Sequence, residues 1–90
     1  MTYKEKFLKL SALNKKMRHH SLSPRETRQR ERLRRIIGRK IGTIRDDYCR
    51  YCLYLRYMKG MMWDDIGDAM GHTTSDAVRK MCERRIKRMK

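Results

Sequence analysis

The stretch Trp63–Met89, WDDIGDAMGHTTSDAVRKMCERRIKRM, decides how this chain reads. Trp63, Ile66 and Met70 recur at the i, i+3, i+7 spacing of one helical face. Gly67 follows Ile66, where a small residue lets a second helix approach closely. Gly71 stands directly after Met70, where a helix ends and a left-handed residue is wanted. Thr73, Thr74 and Ser75 then offer N-caps for a new helix, and Asp76 suits its positive end. The spacing predicts a helix, a tight turn and a second helix, the layout of a helix-turn-helix.

The second of these helices carries an apolar stripe of Val78, Met81, Cys82, Ile86 and Met89, with Arg85 inside it. Either the Arg85 stem lies along the core with its head reaching out, or it pairs with Asp64, Asp65 or Asp68 of the preceding helix. The opposite face presents Asp76, Lys80, Glu83 and Lys87, flanked by Arg79 and Arg84. In helix-turn-helix geometry the N-terminal part of the second helix meets base edges in the major groove. That nominates Thr74, Ser75, Asp76, Arg79 and Lys80 as base-reading residues. Arg or Lys suits guanine O6 and N7, while Asp76 or Glu83 suits the cytosine amino group. Thr73, Arg84, Lys87 and Arg88, with Lys59 just before the motif, are placed for phosphate.

Composition points the same way. The 90 residues hold 25 Lys+Arg against 10 Asp+Glu, a formal net charge of +15. At this length such a field repels itself unless a polyanion is present, and nucleic acid is the first partner it implies. The charge is also partitioned. Residues 1–23 carry six bases and one acid, residues 24–45 nine and two, and residues 73–90 seven and two. Residues 46–72 reverse the sign, with three bases and five acids. No apolar run is long enough to span a bilayer, and no secretion signal is visible. Three cysteines make no disulfide framework and fit a reducing cytoplasm. One Pro, five Gly and no alternating apolar pattern predict an all-α protein.

The expected architecture is a small bundle of about five helices. Residues 1–45 supply basic N-terminal helices, as an arm or a first hairpin, and residues 46–90 the helix-turn-helix domain. A first helix over about Tyr3–Met17 places Tyr3, Phe7, Leu10, Asn14 and Met17 in a heptad-like seam. The seam either packs on its own domain, with Leu13 inward, or forms a homodimer with Asn14 setting the register. Ser23-Pro24-Arg25-Glu26 is a helix start with a capping box. Arg28, Arg32 and Arg35 then lie along one face, at the spacing of a phosphate track. Gly38 and Gly42 loosen or end that helix. Asp46 and Asp47 open the next, expected to run to about Lys59 with Ile44, Tyr48, Cys52, Leu55 and Met58 inward and Tyr51 widening the stripe.

Catalytic arrangements are absent. There is no Gly-rich phosphate loop and no Ser-His-Asp set in a fitting context. Cys49-x-x-Cys52 lacks a second ligand pair for zinc, and His19-His20 point to different helix faces. Asp64, Asp65 and Asp68 have a simpler explanation in the helix dipole. The expectation is a protein that is not an enzyme and uses neither metal nor cofactor.

From Leu55 the run LRYMKGMMWDDIGDAMGHTTSDAVRKMCERRIKRM resembles the promoter-reading C-terminal domain of bacterial sigma factors, their fourth conserved region. It is similar also to small sigma-like regulators of phages and mobile elements. The likeness rests on Arg56-Tyr57…Gly60, Trp63-Asp64-Asp65-Ile66-Gly67, Met70-Gly71, Val78-Arg79-Lys80, Arg84 and Arg85. Between Gly71 and Val78 stands one residue more than in the usual sigma-like turn. The resemblance covers the C-terminal half and implies a DNA-binding module in a bacterial or phage-infected cytoplasm, not a complete sigma factor.

Three functions follow as expectations. The first is a sequence-specific regulator of transcription that binds double-stranded DNA. The second is a DNA-recognition subunit of a phage packaging machine, which gives the Tyr3–Met17 seam a use as an oligomer contact. The third is an inhibitor or adaptor that binds RNA polymerase or another nucleic-acid enzyme, with its basic arms in a channel meant for nucleic acid.

Overall fold

The computed structural model describes residues 1–90, and every regular element in it is helical. Helix α1 spans Tyr3–His19 and α2 spans Pro24–Gly42. Helix α3 spans Asp47–Leu53 and runs directly into a π-helical turn, Tyr54–Met58. Helices α4 (Trp63–Ala69) and α5 (Ser75–Lys87) complete the chain. One cluster of 16 buried apolar residues draws on α1, α2, α3, the π turn, α4 and α5, so both halves of the sequence share a single core. No helix is long and apolar enough to cross a membrane.

Local chemistry accounts for most helix starts. Both α1 and α2 begin with a complete capping box, Thr2 with Glu5 and Ser23 with Glu26, so two orphan amides are satisfied reciprocally at each end. Pro24 occupies the first turn of α2, where its missing N–H costs nothing. Lys16 Nζ reaches Glu26 at 2.7 Å and ties the C-terminal end of α1 to the N-terminal end of α2. With the Ser23 cap, this holds the Glu26 carboxyl down at about 2. Gly38 does not interrupt α2, which continues to Gly42.

The α1 seam turns inward. Phe7, Leu10 and Asn14 are buried within the chain together with Leu13, whereas Met17 is exposed. Three of the five seam residues are therefore unavailable to a dimer partner. Asn14 does set a register, but between helices of one chain. Its Nδ2 donates to the Tyr57 carbonyl at 3.1 Å, and its Oδ1 accepts from Arg30 Nε at 2.8 Å. A buried amide satisfied on both sides penalises any slip of α1 against α2 or the π turn.

The inward face of α3 differs from the expected stripe. Tyr48 and Tyr51 are exposed, and Cys49, Cys52 and Leu53 take the inside. The Lys59 amide closes a ring five residues back onto the Tyr54 carbonyl. This wider turn rotates the following side chains, so that Leu55 and Tyr57 both face the core. Tyr57 then packs edge-on between Phe7, at 4.7 Å, and Trp63, at 6.5 Å, with the Arg56 guanidinium 4.6 Å over the indole.

Candidate functional site

Helix α5 is set by the turn that precedes it. Gly71 (φ 95°) and His72 (φ 64°) are successive left-handed residues, a reversal that glycine adopts freely and histidine more readily than most. The Thr73 amide then donates to the Gly67 carbonyl at 3.1 Å. Gly67 is buried, and a β-carbon there would run into the Thr73 carbonyl oxygen. What the small residue admits is thus the returning turn itself. Thr74 caps α5, its Oγ1 accepting from the Ala77 amide at 3.1 Å.

Val78, Cys82 and Ile86 pin α5 to the core, with Met81 and Met89 partly covered beside them. This leaves Asp76, Lys80, Glu83 and Lys87 exposed on the outer face. Arg79 lies between two of these acids, donating to Asp76 at 3.1 Å and Glu83 at 3.3 Å. Those contacts, the Asp76 bond first, raise the Arg79 pKa above its ordinary value. Three expected base-reading residues are therefore already in contact with one another. Thr74 and Ser75 sit at the helix start and Lys80 one turn into it.

Two depressions flank this face. On one side a groove of about 510 Å³ runs between α1 and α5, with Phe7, Tyr57 and Ile86 on its floor and Leu8 at its edge. Lys4, Lys80, Arg84, Lys87 and Glu83 line the rest of it. On the other side, a cleft of about 480 Å³ gathers Lys40, Arg45, Arg85, Arg88 and Lys90 around Thr43, Ile44 and Met89. No acid lines this second cleft. Arg85 makes no ion pair with Asp64, Asp65 or Asp68; it is half-buried and faces the cationic cleft instead. Repulsion among these cations favours a bound anion, while Arg85 and Arg88 also line an adjoining depression that includes Asp46.

The remaining phosphate candidates lie elsewhere. Arg28 and Arg32 line a third depression with Lys9, Arg25, Glu26 and Gln29. Arg35 lines a different one with Glu31, Arg34 and Met58, so the three arginines do not form one track. By helix rise, Arg32 and Arg28 lie roughly 12 and 18 Å along α2 from Lys40. Lys59 extends over the Tyr54 ring at 5.8 Å. Neither of the depressions beside α5 includes Lys59 or Thr73.

Reading the sequence missed Lys40, Arg45 and Lys90; of its two alternatives for Arg85, the pairing with an α4 acid is not formed. Lys40 and Arg45 belong to the end of α2 and its exit, thirty or more residues before α5, and no periodicity links them to it. The three cysteines are buried free thiols. Burial pushes the Cys52 thiol up to about 11 and raises Cys82 as well. No group of three or more His, Cys, Asp or Glu side chains converges in a way that could hold a metal ion.

Comparisons with protein families, with curated proteins and with solved structures find no match to this chain.

Proposed function

We propose that this chain is a sequence-specific double-stranded DNA-binding regulator, with α4, the Gly71–Thr73 turn and α5 acting as a helix-turn-helix. The observation that carries the reading is the cluster of Lys40, Arg45, Arg85, Arg88 and Lys90, in a cleft that no acid lines, beside the outer face of α5. The N-terminal half of α5 enters the major groove in this arrangement, and the cluster takes phosphates at the groove wall. From Lys80 to Arg88 is eight residues, roughly 12 Å of helix, which matches the roughly 12 Å width of the groove.

The ion pairs of Arg79 with Asp76 and Glu83 do not oppose base reading. Exposed pairs of this kind are weak and screened by water, so a bidentate guanine contact readily replaces them. The sigma-like run from Leu55 to Met89 supports the same reading.

Selection of bound sequences from a random duplex pool at near-physiological salt tests it. An enriched motif is expected. Affinity should fall steeply with salt, with a log–log slope of about −0.9 per phosphate contacted. Recovery of no motif would overturn sequence-specific binding. If Arg79→Ala weakens selected and random duplexes equally, Arg79 does not read a base.

A further inference from the structure

We infer that the groove between α1 and α5 is a docking site for an acidic amphipathic helix of a partner protein. Its chemistry differs from that of the cationic cleft across α5. Phe7, Tyr57 and Ile86 make an apolar floor, and Leu8 stands 62% exposed at its edge. Lys4, Lys80, Arg84 and Lys87 ring that floor. The single acid, Glu83, is engaged by Arg79 at 3.3 Å.

A DNA backbone offers phosphates to the cations but nothing that buries Leu8. A helix with leucine or phenylalanine at i and i+4, flanked by Asp and Glu, meets both the floor and the rim. Because Lys80, Arg84 and Lys87 also belong to the DNA-contacting set, the docked helix excludes DNA. That exclusion rests on the proposed DNA-binding function; the docking does not.

The probe is a fluorescein-labelled 16-residue helical peptide with two leucines at i and i+4 and glutamates beside them, titrated into the full chain by anisotropy. Saturable binding is expected. Leu8→Ser should weaken it at least tenfold, as should Lys4→Gln combined with Lys87→Gln. Met17→Ser, on the same helix roughly 13 Å from Leu8, should change it less than twofold. Leu8 and Met17 are both exposed, so these variants keep the fold, which circular dichroism verifies.

Equal binding of a peptide with serines in place of the leucines would overturn the proposal, leaving charge attraction alone. An unchanged affinity in Leu8→Ser would do the same. So would a concentration-dependent dimer of the chain abolished by Leu8→Ser, because the groove would then hold a second copy. Displacement of the peptide by duplex DNA supports exclusion. Simultaneous binding overturns exclusion while the docking stands, and a chain that binds peptide but no DNA separates the two readings outright.

Discussion

Two groups of cations in this molecule differ in net charge and in origin. Arg25, Arg28 and Arg32 come from one helix, a turn or less apart, and their depression includes Glu26. Lys40 and Arg45, from the end of α2 and its exit, join Arg85, Arg88 and Lys90 from α5 and its exit, and no acid lines their cleft. The first group is dense along the sequence; the second is dense in space. An anion responds only to density in space, so the second group should dominate binding to a polyanion.

The largest test of that difference is neutralisation. Arg45, Arg88 and Lys90 are exposed, so changing all three to Gln leaves the core intact. Duplex affinity at low salt should drop about a hundredfold, and the salt slope should lose up to roughly 2.7 if each contacts one phosphate. Arg28→Gln with Arg32→Gln should cost only a few-fold. Equal losses in the two variants would erase the distinction.

A second test asks whether the α1–α2 hairpin serves mainly as scaffold. Asn14→Ala strips the Tyr57 carbonyl and the Arg30 guanidinium of their buried partner. Chemical denaturation should show a loss of about 1–3 kcal/mol. Duplex affinity per folded molecule should stay within twofold; a tenfold fall would mean that the hairpin shapes the binding surface directly. Ser23→Ala should be milder, about 1 kcal/mol, because it removes one cap on an exposed helix end.

The smallest effect expected is a response to acid. Glu26 has a folded pKa of about 2 against an ordinary 4.5, because Lys16 and the Ser23 cap favour its ionised form. A depressed carboxyl contributes stability that is full above about 4.5 and is lost as pH falls towards 2. Thermal melts from pH 5 to pH 2 should decline more for the wild-type chain than for Glu26→Gln, which lacks that group. Parallel declines would remove the contact from the account.

The thiols distinguish interior from surface in another way. Cys49, Cys52 and Cys82 are buried, and Cys52 is raised to about 11. Alkylation at neutral pH should be slow in the folded chain and rapid for all three after denaturation. Fast modification of the native chain would show that the α3–α5 contact opens readily.

The fold was partly legible because several of its signals are local. Ser23-Pro24-Arg25-Glu26 announced α2 through capping chemistry that involves only four neighbouring residues. Gly71 marked the end of α4 through backbone freedom, and Thr74 the start of α5 through its side-chain cap. The π turn was not legible. It is closed by the Lys59 amide on the Tyr54 carbonyl and places Tyr57 between Phe7 and Trp63, contacts that no spacing in the sequence announces. Nor could the sequence decide what the α1 seam faces, since Phe7 and Leu10 suit a partner chain or the chain's own core equally well.

For this protein, then, the sequence alone determined helix content, helix starts, the large positive charge and the polar outer face of α5. Each of these depends on residue chemistry and on spacings of a few positions. Tertiary structure decided what Asn14 bonds, where Arg85 points and which cations share a cleft. Those outcomes depend on residues sixteen to fifty positions apart being brought together, a geometry that exists only once the helices have packed.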